Sequence, residues 1–213
     1  ILLGMLSAFG PFVTDMYLPS LPVMADYFSA SLPMVQMGLT TSMIGLAAGQ
    51  IFFGPLSDKY GRRPLLLASM VLFVLSTIFC LFAPDIYSFV TLRFIQGIAG
   101  AGGIVISRSV ATDKFSGKEL AKMLAVIGAI NGVAPVAAPV IGGLLTGSVG
   151  WQGIFVILLF IGIVLGIGCI RFKESLPIEK RSKAGVVSTF RSFGVIVHNR
   201  RYMLYVLQLA FAQ

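Results

Sequence analysis

The sequence predicts an all-α polytopic membrane protein, a six-helix bundle followed by the start of a seventh span. Three observations carry this. Of 213 residues, 57% are hydrophobic and only 11% charged, with a mean hydropathy of +0.94; a soluble domain carries about a quarter charged residues. Residues 27–57 and 123–170 contain no Asp, Glu, Lys or Arg. A span needs about 20 apolar residues at about 1.5 Å each, so the second run is long enough for two passes. No alternating ten-residue pattern of the kind that marks a membrane β-barrel occurs.

In order, the expected spans are 1–19, 35–57, 64–83, 88–112, 121–147 and 151–171. The first lacks the basic flank and A-x-A-like site of a signal peptide. The fifth and sixth share the long charge-free run and are divided by the turn Gly147-Ser148-Val149-Gly150. Residues 1–171 thus form the expected bundle, and 172–201, charged and holding Pro177, read as a solvated basic linker between two membrane halves. Residues 202–213 read as the start of the seventh span, too short to cross. Both ends of the chain read as cut from something longer.

Charge sets the expected orientation. Of the 16 Lys and Arg residues, all but Arg93 and Arg108 lie in or beside the loops on one side, around 58–63, 114–122 and 171–201. The loops 20–34, 84–87 and 148–150 carry none. The positive-inside rule makes the basic side cytoplasmic, so the chain starts inside. The net charge of +8 therefore reports membrane orientation, and no nucleic-acid partner is expected.

Several chemistries find no support. Cys80 and Cys169 fall within spans without metal-ligand spacing and read as apolar filler. The single histidine, His198, lies in the linker, and no span pairs Ser, Asp and His, so no enzyme is expected. No Walker-type loop appears. No metal or cofactor is expected.

Charges within a span cost at least a few kcal/mol and mark function. Asp15, in Thr14-Asp15-Met16-Tyr17-Leu18-Pro19, is either a hydrated helix-end residue or a protonatable acid facing a cavity. Arg93 keeps its proton and needs an acceptor, for which Asp15 and Gln96 are the candidates. Gly97, Gly100, Gly102 and Gly103 follow on the same span, and Gly128, Gly132, Pro135, Pro139, Gly142 and Gly143 punctuate the fifth. Small residues let helices approach closely, and proline frees carbonyls and bends a span, so Pro135 and Pro139 read as a hinge. Between spans two and three, Gly54 to Pro64 reads as a tight loop. There Asp58 would cap or pair with a helix N-terminus, and Arg62 and Arg63 would bind an acid or a lipid phosphate.

These segments together resemble a known family. Gly54-x-Leu56-x-Asp58-x-x-Gly61-Arg62-Arg63 is similar to the signature loop of the major facilitator superfamily, and Leu92-Arg93-x-x-Gln96-Gly97 to its fourth-helix motif. Gly128…Gly132…Ala138-Pro139-x-x-Gly142-Gly143 resembles the fifth-helix motif of drug:proton antiporters. Pro11-Phe12-Val13-Thr14-Asp15-Met16-Tyr17-Leu18-Pro19-x-Leu21-Pro22 resembles span one of the bicyclomycin/chloramphenicol resistance (Bcr/CflA) group.

The resemblance implies the major facilitator fold, two six-helix halves with a site at the midplane between them. It implies proton-coupled export of small, mostly apolar drugs across a bacterial inner membrane, driven by the proton gradient without a cofactor. The alternative is a facilitator or importer of a small nutrient. Asp15 would be the cavity acid, with Tyr17 and Gln96 beside it and Arg93 tuning it. Asp58 and Arg62, in the signature segment with Gly54, Gly61 and Arg63, would form with Asp113 a cytoplasmic charge relay that holds the two halves together in one access state. Gly132, Pro139 and Gly143 would control bending. The partners implied are drugs, protons, the bilayer and the C-terminal half of the same transporter. Two departures stand out: Ala138 occupies a usual glycine position, and Ser7 lies where some relatives carry a second acid.

Overall fold

The computed structural model describes residues 2–182 together with residues 203, 204 and 208; most of the expected linker and seventh-span start lie outside them. The helices are α1 (Leu2–Asp15), α2 (Leu21–Tyr27), α3 (Leu32–Tyr60), α4 (Arg62–Leu81), α5 (Ile86–Lys114) and α6 (Gly117–Ile170). No strand occurs among the described residues.

The first pass is a broken helix. α1 has 14 residues, about 21 Å of rise, short of the roughly 30 Å hydrocarbon core. Pro19 and Pro22 supply no N–H for the carbonyls four residues back, so a regular helix cannot continue. The chain tightens into a 3₁₀ turn at Leu18–Ser20, where the Ser20 amide donates to the Tyr17 carbonyl at 2.9 Å. It then resumes as α2. The expected 20–34 loop is therefore largely helical, and the connection to α3 is only residues 28–31, turned by Ser29 at φ +48°.

The second difference lies at the signature segment. The expected loop from Gly54 to Pro64 is helix on both sides of one residue: α3 runs through Pro55 to Tyr60, and Gly61 alone breaks it, at φ +102°. That backbone conformation suits glycine, so a single residue suffices to turn the chain into α4.

α6 holds 54 residues with one non-helical position, Gly150 (φ 74°, ψ −177°), and continues through Pro135 and Pro139. We call its limbs α6a (117–149) and α6b (151–170). Ile130 reaches Gly4, and Gly168 faces Leu2, so both limbs pass the start of α1. Gly142 abuts Met16, and the Phe155 ring lies 6.4 Å from that of Tyr17, so both limbs also pass its end. The limbs form a hairpin folded at Gly150, within the expected turn. Six passes result, with the broken α1–α2 segment counting as the first.

α5 is the central element. It meets α3 through paired glycines: Gly97 lies against the Ser42 carbonyl and Gly45 against that of Phe94, so neither position has room for a side chain. The two ends of the bundle differ in chemistry. One gathers Gly61, Arg62, Arg63, Asp113, Ile170 and Glu174. At the other, Tyr27, Phe28, Phe89 and Trp151 pack edge-on or tilted, with contacting centroids 5.0–6.1 Å apart.

Candidate functional site

Two polar centres stand out from this apolar frame. The first is the break in α1. The last carbonyls of any helix lack intrahelical partners, and the Val13 carbonyl, near the end of α1, finds one in Arg93: Nη2 donates to it at 2.8 Å. Arg93 Nη1 donates to Gln96 Oε1, Gln96 Nε2 donates to Thr77 Oγ1 at 2.7 Å, and that hydroxyl donates to the Phe73 carbonyl at 2.7 Å. Arg93 is fully buried, with its guanidinium 4.4 Å from the Tyr17 ring centroid and 5.8 Å from that of Phe155. A cation at a helix C-terminus meets the negative end of the helix dipole, and the ring faces add cation–π attraction. α6a closes the other side of the break: the buried Gly142 lies against the Met16 carbonyl.

Asp15 ends α1 beside this clamp, half-buried. Of the two expected acceptors for Arg93, Gln96 is engaged and Asp15 is not: no ion pair joins Asp15 to Arg93, and the guanidinium's other contact is the Val13 carbonyl. The reason is geometric. A backbone carbonyl exposed by the break already lies in reach of Arg93. Tyr17 is brought to the site, but through its ring; its hydroxyl is buried without a hydrogen bond. One turn pair further along, Asn131 Nδ2 donates to the buried Ser7 hydroxyl at 2.7 Å, tying α6a to α1.

The fifth-helix residues divide. Gly142 contacts the break, and the Gly143 position lies 3.9 Å from the Pro19 ring. Gly128, Gly132 and Pro135 are exposed, with open space beside both glycines. Pro139 is partly buried, and no hinge dihedrals accompany either proline. Ala138 is fully buried, so its methyl lies on the face that packs toward α1.

The second centre is Arg62, at the start of α4. Its Nε donates to Asp113 Oδ2 at 3.0 Å and its Nη2 to Asp113 Oδ1 at 3.5 Å. Its Nη1 pairs with Asp58 and donates to Ser57 Oγ at 2.7 Å. The expected relay residues Asp58, Arg62 and Asp113 are thus joined, bridging the ends of α3, α4 and α5. Asp58 does not cap α4; Glu174 does, accepting from the Arg62 amide at 2.9 Å and the Arg63 amide at 3.2 Å. Arg63 turns to the Ile170 carbonyl at 2.7 Å. Burial pushes the Glu174 carboxyl up, but hydrogen bonds from the amides of Leu176, Arg62, Arg63 and Ser175 outweigh it and hold the group below its ordinary 4.5. Arg108 is exposed near the same end of α5.

Sequence reasoning missed Val13, Thr77, Ser57 and Glu174. Only the first left a signal: prolines just beyond α1 imply freed carbonyls that need a donor.

A six-pass apolar helical bundle with a clamped helix break and one charged end defines a polytopic membrane protein. The chain belongs to the Major Facilitator Superfamily, whose family model matches residues 3–213. It is 42% identical over 213 residues to the MFS-type transporter YdgK of Bacillus subtilis, covering 99% of this chain and 53% of that protein. It is 36% identical over 162 residues to a bicyclomycin resistance protein homolog of Haemophilus influenzae, covering 76% and 41%. It is 32% identical over 151 residues to the multidrug resistance protein MdtL of Citrobacter koseri, covering 71% and 39%. The chain thus spans about half the length of these relatives. Among solved structures it shares its fold with the human organic anion transporter MFSD10 (TM-score 0.66, 21% identity, covering 86% of this chain and 48% of that one). The D-xylose–proton symporter is similar (TM-score 0.65, 16% identity, covering 82% and 47%).

Proposed function

We propose that the full-length protein is a proton-coupled antiporter of the Bcr/CflA group that exports small, mostly apolar drugs by alternating access. Residues 1–171 would be its N-terminal six-helix half, 172–201 the linker and 202–213 the opening of the seventh helix. The basic end and the amino terminus would face the cytoplasm of a bacterial cell, with 14 of the 16 Lys and Arg residues on that side. Names of relatives that refer to bicyclomycin and multidrug resistance support the substrate class.

The observation that carries the reading is the separation of Asp15 from Arg93. Arg93 turns Nη1 to Gln96 and Nη2 to the Val13 carbonyl, its buried Nε has no partner, and no ion pair reaches the half-buried Asp15 carboxyl at the helix break. A carboxyl so placed can exchange a proton for a drug without dismantling the fold. Arg93 holds the break open while this happens, Tyr17 and Gln96 line it, and the Asp58–Arg62–Asp113 relay stabilises one access state from the cytoplasmic end.

Drug accumulation in cells expressing the full-length protein, with and without a protonophore, tests this. Efflux should be abolished by the protonophore and by Asp15→Asn, with the variant still inserted in the membrane. Export by Asp15→Asn against a gradient would remove the acid from the mechanism.

A further inference from the structure

The amide ends of α4 raise a question that Gly61 cannot answer. The first amides of a helix need acceptors from outside it, and the residue before α4 has no side chain with which to cap them. The acceptor comes instead from 112 positions along the chain, where Glu174 takes both the Arg62 and Arg63 amides. A carboxylate there also meets the positive end of the helix dipole.

Glu174 belongs to a short stretch that touches three of the helices meeting at this end, α3, α4 and α5. Ser175 Oγ donates to Asp113 Oδ2 on α5 at 3.0 Å, and the Ser182 amide donates to the Asp58 carbonyl on α3 at 2.9 Å. Arg181 pairs with Glu174 at 3.7 Å. A Cβ at Gly61 would come within 2.5 Å of Glu174 Oε2 and 2.7 Å of Arg181 Nη2, so the turn and the stretch are fitted to each other. The expected solvated linker therefore begins as a packed strap.

We propose that residues 171–182 latch the cytoplasmic end, and that Glu174 is a positioning residue which, by capping α4, fixes the point from which Arg62 reaches both Asp58 and Asp113. The proposal rests on the relay's role in the preceding section. It makes residues 171–182 an active part of the switch, because the strap they form orders the relay. Released from Glu174, the start of α4 frays, Arg62 loses its register, and Asp58 and Asp113 come apart.

Amide hydrogen exchange on the full-length protein in nanodiscs, without drug or proton gradient, tests the latch independently of whether the protein exports drugs. Glu174→Gln keeps the shape of the side chain but removes its charge and turns one of the two oxygens that accept from the Arg62 and Arg63 amides into an NH2 donor. Exchange should rise about tenfold in Gly61–Leu66, the cost of a lost helix cap, and should rise together with it in Val110–Ser116 at the end of α5. Peptides from α1 and the middle of α5 should not change. A rise confined to Gly61–Leu66 would reduce Glu174 to a local cap, and no rise at all would remove even that; either overturns the latch. Should Glu174→Gln open the whole bundle, Glu174→Asp, which keeps the charge on a shorter arm, is read by the same two peptides with the same criteria.

Discussion

Each polar centre of this half-bundle is built around an arginine, and the two are neutralised in opposite ways. Arg62, at the charged end, has two carboxylates, Asp58 and Asp113. Arg93, within the bundle, has none: a backbone carbonyl, a glutamine oxygen and two aromatic rings surround it. Removing a carboxylate from water is costly, so a buried guanidinium served by dipoles and ring faces leaves the bundle needing no second buried charge. The difference teaches what each centre can do. Ion pairs at a hydrated end can be broken and remade as the protein changes state. A clamp made of dipoles cannot easily let go, and it leaves the nearby acid, Asp15, uncommitted.

The sharpest way to break this comparison is to treat Arg93 and Asp15 as the ion pair they are not. Arg93→Met leaves the Val13 carbonyl and Gln96 without their donor and should destabilise the protein by about 3 kcal/mol, since hydrogen bonds from charged groups contribute about 1.5–3 kcal/mol each. Arg93→Lys should recover only part of this, because one ammonium lacks the planar fork that serves two acceptors. Asp15→Asn should change stability by less than about 0.5 kcal/mol. Thermal unfolding in detergent reads all three. Equal losses for Arg93→Met and Asp15→Asn would mean that the two are coupled after all.

A second test sharpens the boundary of the clamp. Gly142 and Gly132 belong to one motif in the sequence, yet a methyl at Gly142 meets the Met16 carbonyl and one at Gly132 meets nothing within 4 Å. Gly142→Ala should therefore cost about 1–3 kcal/mol through forced displacement of the α1 break. Gly132→Ala should be neutral or gain up to about 1 kcal/mol of helix propensity in the same unfolding measurement. If Gly132→Ala abolishes transport while leaving stability intact, that glycine acts through the other half of the transporter and not through α1.

Much of this was legible in the sequence because it depended on local pattern. Charge-free runs marked the passes and Gly147 to Gly150 marked the hairpin, while the family resemblance implied the grouping of Asp58, Arg62 and Asp113 that the structure joins. What escaped was carried by backbone or by distance. Val13 accepts through its carbonyl, which every residue type possesses. The segment from Gly54 to Tyr60 contains glycine and proline, read as loop, but packing on α5 keeps it helical up to the one residue with positive φ. For Arg93 the sequence offered both Asp15 and Gln96 as acceptors, and only the fold selects Gln96. Glu174 lay in a stretch whose composition suggested only solvation; its role appears when the chain returns it to the start of α4.

The smallest expected effect separates the two arginine centres by pH. Glu174 is held below its ordinary value of 4.5 in the folded protein, so the folded state binds its proton less readily than the unfolded chain. Its contribution to stability is therefore fully present above about pH 4.5 and is lost as the pH falls through the depressed folded value. The group is only partly buried, so solvent screening keeps the effect small. Acid should loosen the Arg62 end first, because Glu174, which caps α4, lies there. Hydrogen exchange between pH 6 and pH 4, corrected for the intrinsic rate, should thus show protection falling in Gly61–Leu66 and not around Arg93. Glu174→Gln should flatten the first of these profiles and leave the second alone. A parallel loss at both ends would mean that the two centres open as one unit, and that the apolar bundle between them transmits what this structure keeps apart.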